Sequence, residues 1–247
     1  MQQVYPLITS AKKSGRKLLA LLIDPDKAHG ALFEQTLDLL NEGHADMVLV
    51  GGSLLTNGHF ENCITRLRAE TKVPVVIFPG NIMQISAQAH AILLLSLISG
   101  RNPDLLIGKH VLAAPMLKQS KLEIISTGYM LIDGGNLTSV QYMSNTMPIP
   151  HNKADIASCT ALAGEMLGHK LIYMDAGSGA LNHVSAKMIQ AVNKEIKVPL
   201  FVGGGISKAS QATECLSAGA DVLVVGTAAE KDPSIIKEIA SAVKRFN

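Results

Sequence analysis

The sequence predicts an α/β fold, a single (β/α)8 TIM-type barrel of eight parallel strands with helices between them, on three observations. Short runs of apolar and β-branched residues recur along the whole chain, each closed by Gly, Pro or Asp and most followed by a longer amphipathic stretch. The runs are continuous and not alternating, as in LLALLI, MVLV and VLVV. A strand reads that way when helices cover one face and neighbouring barrel strands fill the other. The 247 residues, 47% hydrophobic and 17% charged, suit one such barrel and include no linker-like stretch dividing two cores. One domain over 1–247 is expected.

In chain order, strands are expected at 17–23, 47–50, 75–78, 91–95, 124–131, 171–174, 200–202 and 222–225. The first runs into Asp-Pro, the second into Gly-Gly, the third into Pro-Gly and the fourth into SLISG. The fifth leads to Asp-Gly-Gly, the sixth to Asp-Ala-Gly, the seventh to three glycines and the eighth to Gly-Thr. Helices are expected at 28–42, 60–71, 153–167, 184–193, 208–217 and 233–246, where length and spacing suit an outer coat. Segment 82–90, between the third and fourth strands, is short for a covering helix. Segments 102–120 and 134–150 are longer than ordinary connections, and long loops carry function. An open doubly wound sheet shares this cadence, but no GxGxxG follows Ile23.

Composition excludes several classes. Lys and Arg number 22 against 20 Asp and Glu, for a formal charge of +2, with no dense basic block to grip nucleic acid. The apolar stretch from Ala91 falls far short of the roughly 20 residues that cross a bilayer. The amino terminus lacks a basic-then-apolar leader, and Cys63, Cys159 and Cys215 form no CxxC pair, so a reducing cytoplasm is expected. The eight histidines form no HxH or HxxxH pair and read as surface or packing residues. Ten methionines without tryptophan fit an adaptable core or a lipid-accepting groove.

Three glycine turns close the last strands: Asp175-Ala176-Gly177-Ser178-Gly179, Gly203-Gly204-Gly205 and Gly226-Thr227. They recur at about one βα unit, which puts them side by side on the rim where such barrels do chemistry. Glycine lets backbone approach a ligand, and turn N–H groups point at an anion, so a phosphate is expected there. Ser178 and Thr227 add hydroxyl donors to this pole. In a closed ring strand one lies beside strand eight, so Asp24 faces the same mouth, with the Ser53 oxygen on the adjacent strand. Mg2+ takes one or two protein oxygens and completes its shell with water and substrate phosphates. Asp24 and Ser53 suffice for that; the plainer role of Asp24 is a cap before Pro25, and that of Asp26 a favourable charge in a first helical turn. Lys27 could pair with a diphosphate or with Asp26, and both roles stay open.

The pieces IDPDK, GGS, FPGN, SLISGRNPD, YMDAGSGA, VGGGI and ADVLVVGT, in that order from Leu21 to Thr227, closely resemble the geranylgeranylglyceryl phosphate synthase family, which includes the PcrB-type heptaprenylglyceryl phosphate synthases. The resemblance implies a TIM barrel whose third helix is replaced by irregular structure, a Mg2+ cofactor and two phosphorylated substrates. It places the metal on Asp24 and Ser53. It places the glycerol phosphate site on Tyr173, Met174, Asp175, Ala176, Gly177, Ser178 and Gly179, on Gly203, Gly204 and Gly205, and on Gly226 with Thr227. Three positions depart from the family pattern. Leu22 stands where the PcrB branch has Lys, Asp175 where Glu is frequent, and Ala89-His90-Ala91 where relatives read ADA.

The reaction so implied joins the allylic carbon of a long-chain prenyl diphosphate, a C20 donor by family resemblance, to the free hydroxyl of sn-glycerol 1-phosphate. A carboxylate at the rim accepts the hydroxyl proton. Asp175 is the expected catalytic base, its plainer role being to bond the nearby turn; Tyr173 either orients the glycerol or packs. The prenyl tail needs an apolar channel, which 98–117, the loop after strand four and the third-unit gap can line. A homo-oligomer with transient membrane-surface contact is the further expectation. The rival classes are another phosphate-binding barrel enzyme, such as a phosphosugar isomerase or a thiamine-phosphate-type synthase, and a noncatalytic phosphate-binding module.

Overall fold

The structure, a computed structural model, describes residues 3–247. Eight strands, β1 (Leu18–Ile23), β2 (Met47–Val50), β3 (Val75–Ile77), β4 (Ala91–Leu97), β5 (Glu123–Leu131), β6 (Leu171–Asp175), β7 (Leu200–Gly203) and β8 (Val222–Val225), form a closed barrel in sequence order. Every neighbouring pair is parallel, and Leu18 through Leu21 close the ring against Val222 through Val225. Side chains alternate across the wall. Leu18, Ala20, Met47, Leu49, Tyr173 and Val224 fill the barrel, while Leu19, Leu21, Val48, Met174 and Val225 pack outward against helices. In β2, β3 and β8 every residue is buried, which is why these strands read as unbroken apolar runs.

The helices are α1 (Val4–Ser14), α2 (Gly30–Asn41), α3 (Phe60–Glu70), α4 (Lys109–Ser120), α5 (Ser139–Ser144), α6 (Ala154–Met166), α7 (Ala186–Glu195), α8 (Ala209–Ser217), α9 (Thr227–Lys231) and α10 (Ile235–Lys244). Six coincide with the expected segments; α1, α4, α5 and α9 do not. Helix α1 plugs the end of the barrel remote from the glycine turns. Val4, Ile8 and Ala11, one helical stripe, join the inner core, and the Glu123 carboxylate accepts the Val4 and Tyr5 amides. Segment 102–120, expected as a long connection, is a π-helical turn (Asp104–Gly108) leading into α4. Pro115 sits inside that helix, and its solvent side carries Val111, Leu112 and Met116. A helix breaker and an apolar outer face together hid the helical pattern.

As expected, no helix forms over 82–90. Its structural role falls to a buried amide, Gln84, only 2% exposed. Gln84 Nε2 donates to the Gly52 carbonyl at 2.8 Å, while Oε1 accepts the Gly80 amide at 3.0 Å. One side chain thus ties the turn after β2 to the turn after β3. Gln84→Ala removes both of these hydrogen bonds and is expected to cost about 1–3 kcal/mol, read as a lower denaturant midpoint at unchanged slope.

Candidate functional site at the strand ends

A cavity of about 600 Å³ opens at the carboxyl ends of the strands. Asp24, Ser53, Asp175, Gly204, Gly205, Gly226 and Thr227 all line it, so the acidic corner and the glycine turns share one mouth. Tyr173, Gly177, Ser178 and Gly179 line it too. Three expected site residues do not. Met174 points the other way from Tyr173, into the layer beneath the helices, because successive strand residues face opposite sides. Ala176 and Gly203 sit behind the lining: Ala176 is buried and its amide is bound by the Gly203 carbonyl at 3.1 Å. Their contribution is to hold the two turns together.

The glycine pole depends on backbone that other residues do not adopt. Gly204 has φ +78, and a Cβ there would lie 2.6 Å from Asp175 Oδ1 and from the Ala176 and Gly177 amide nitrogens. The seventh turn therefore rests directly on the sixth. Across the pole, the Ser178 and Thr227 hydroxyls are 2.8 Å apart, joining the turns after β6 and β8.

Asp175 forms the floor of this pole. Its Oδ1 accepts the Gly177 amide at 2.7 Å, the turn-bonding role, and its Oδ2 accepts the Tyr129 hydroxyl at 2.8 Å. Burial raises its pKa above the ordinary carboxylate value, and the Gly177 and Tyr129 donors only partly oppose that. Burial also drives the Tyr129 and Tyr173 phenols well above their usual range, so both are O–H donors at neutral pH. Phe78, Tyr129 and Tyr173 pack with ring centroids 5.3–5.8 Å apart as an aromatic base to the cavity. Sequence reasoning missed Tyr129 and Phe78; a lone phenol in the apolar run of β5 was the available signal.

At the β1 corner, Asp24 plays its capping role, its Oδ1 accepting the Asp26 amide at 3.1 Å, and also lines the cavity. Asp26 turns away and holds the loop after β2, accepting the Thr56 amide (2.7 Å), the Thr56 hydroxyl (3.0 Å) and the Asn57 amide (3.3 Å). The Thr56 amide is the main cause of its lowered pKa. Lys27 pairs not with Asp26 but with Asp24 Oδ2 (3.3 Å) and with Glu230 Oε2 (2.9 Å). Glu230, from α9, was not singled out by sequence.

Away from these polar groups the lining turns apolar. Ile92 and Leu94 project outward from β4 toward Ala113 and Leu117 of α4, and Ile82 and Ile85 come from the irregular third unit. The missing third helix is thus where the cavity gains an apolar arm. His110 also lines the arm, its Nε2 3.3 Å from the Ser96 hydroxyl, and burial holds its pKa below the usual imidazole value. Among the described residues no group of three or more His, Cys, Asp or Glu is arranged to hold a metal. The donors at the β1 corner are instead the Asp24 carboxylate and the Ser53 hydroxyl.

The sequence model of the PcrB family matches residues 13–243, nearly the whole barrel. The chain belongs to the PcrB family. Among curated members, the geranylgeranylglyceryl phosphate synthase of Spirosoma linguale is 52% identical over 98% of this chain and 97% of its own length. That of Chitinophaga pinensis is 49% identical over 98% and 96%. Among solved structures, the crystal structure of (S)-3-O-geranylgeranylglyceryl phosphate synthase from Thermoplasma acidophilum, in complex with its substrate sn-glycerol-1-phosphate, superposes with a TM-score of 0.90. It shares 30% identity and covers 99% of this chain and all of that one. The two chains therefore share one fold over their whole length.

Proposed function

We propose that this chain transfers a geranylgeranyl group from its diphosphate to the free hydroxyl of sn-glycerol 1-phosphate, giving geranylgeranylglyceryl phosphate and pyrophosphate. The observation that carries this reading is the single cavity with two unlike ends, a glycine-turn cradle with a buried carboxylate and an apolar arm between β4 and α4. A phosphate-sugar enzyme needs only the first. Relatives matched over 96–97% of their own length bear the name of this activity, and one solved structure holds sn-glycerol-1-phosphate.

In this reading the glycerol phosphate lies with its ester on the turns around Gly177, Gly204 and Gly226, where backbone without side chains lets turn amides approach it, the Gly177 amide itself being held by Asp175. The bond from the allylic carbon to the diphosphate breaks, the hydroxyl oxygen bonds to that carbon, and Asp175 accepts the hydroxyl proton. Asp175 is suited to this: it borders the cavity, and its raised pKa makes it a stronger base than a surface carboxylate. Tyr173, buried beside Gly203, orients the glycerol from below, and the aromatic base keeps water from the reacting carbon. Hard oxygen donors at the β1 corner fit magnesium, with Asp24 and Ser53 as its protein ligands. When bound, the ion supplies positive charge to the departing diphosphate. The prenyl tail occupies the apolar arm, and we place the enzyme in the cytoplasm, as a homo-oligomer that meets the membrane surface transiently.

Incubation with prenyl diphosphates of graded length and both glycerol phosphate enantiomers, followed by weighing the lipid products, tests the reading. The expected product is the C20 ether of the sn-1 enantiomer, with one pyrophosphate released per ether. Glycerol phosphate binding without pyrophosphate release from any donor would show a sensing module instead.

A further inference from the structure

We infer that Lys27 is a substrate-binding residue that donates directly to the diphosphate of the prenyl donor, with Glu230 holding it at the mouth of the cavity. The inference rests on the proposed prenyl transfer and assigns a residue to it.

The geometry is specific. Lys27 lies on the 3-10 turn (Pro25–Lys27) that follows β1, and its side chain is 55% exposed where it lines the cavity. Its ammonium carries three N–H donors. Asp24 Oδ2 at 3.3 Å and Glu230 Oε2 at 2.9 Å engage two of them, which leaves the third for a ligand. Glu230 reaches this point from α9, the helix opened by the Gly226-Thr227 turn, and its Oε1 also accepts the Asp24 amide at 3.3 Å. One carboxylate therefore fixes both Lys27 and the backbone of Asp24 relative to the phosphate pole.

Charge decides between a structural and a substrate-binding role. Asp24 and Glu230 together carry two negative charges and Lys27 one positive, so the corner is net negative and repels an incoming diphosphate. A divalent ion, if held by Asp24, would reverse that sign only with Lys27 in place. Leu22 supplies no cation from β1, and Lys27 is the only ammonium paired to the Asp24 carboxylate among the described residues. As a compact point charge with a free donor, Lys27 has the form of a phosphate-binding lysine.

The test uses inorganic pyrophosphate with Mg2+ as the probe, titrated calorimetrically into the wild type, Lys27→Met and Lys27→Arg, with sn-glycerol 1-phosphate titrated in parallel. Lys27→Met is expected to weaken pyrophosphate binding about 10- to 100-fold, or about 1.4–2.8 kcal/mol. Glycerol phosphate affinity should stay within about twofold, which also shows that the variant is folded. Lys27→Arg keeps charge and donors and should recover most of the loss. In turnover, the KM for the prenyl donor should rise while that for glycerol phosphate holds. If Lys27 only neutralises Asp24 and Glu230, its removal leaves the corner more negative. Mg2+ would then bind more tightly and pyrophosphate no more weakly, which overturns the inference. Failure of the proposed function has a different signature: a wild type that makes no ether from any donor.

Discussion

Asp175→Asn is expected to lower kcat by about 10²- to 10⁴-fold, the usual contribution of a positioned general base, while glycerol phosphate affinity changes little. The substitution is close to isosteric. The amide oxygen still accepts the Gly177 amide, and the Tyr129 hydroxyl can turn to accept from the new NH2, so the turn keeps its shape while the basic oxygen is lost. The pH profile sharpens the assignment. Because burial raises the Asp175 pKa, wild-type activity should climb with pH through that raised value as the base ionises. Tyr129→Phe removes a hydrogen bond that favours the ionised form, which raises the pKa further. Its acid limb should therefore move to higher pH, with activity recovered on the alkaline side. An acid limb unmoved in Tyr129→Phe, or a kcat for Asp175→Asn within about tenfold of wild type, would assign proton acceptance elsewhere.

What sequence could supply followed from whether an interaction is local. Strands buried on both faces leave a continuous apolar signature, so all eight were legible, as was the short third unit, where too few residues separate β3 from β4 to build a covering helix. Helix α4 was hidden because its solvent side is as apolar as its packed side and Pro115 interrupts it. The glycine turns were legible because positive φ and close approach exclude a Cβ, a constraint written in the residue itself. The contiguous motif around Tyr173 nevertheless overreached at Met174, since strand alternation turns every second side chain from the mouth. Long-range partners left no trace. Glu230 meets Lys27 from 203 positions away and Tyr129 meets Asp175 from 46, and only the closure of the ring brings either pair together.

Gly204→Ala is expected to uncouple the two substrate ends of the cavity. At φ +78 an alanine is strained, and its methyl carbon would stand 2.6 Å from Asp175 Oδ1 and from two amide nitrogens of the sixth turn, closer than such contacts occur. The clash is against backbone, so no rotamer change relieves it and the 203–205 turn must shift off its neighbour. A cost of about 1–3 kcal/mol then falls on the conformation that cradles the ester, predicting a KM for glycerol phosphate about 10- to 100-fold higher. The β1 corner is built from β1, α9 and the turn after β2, none of which rests on Gly204, so pyrophosphate binding with Mg2+ should change by less than about threefold. The core strands are untouched, and a cooperative melt lowered by only a few degrees would confirm that the effect is local. Equal losses at both ends would mean that the turn supports the whole mouth, and unchanged glycerol phosphate binding would remove this turn from the cradle.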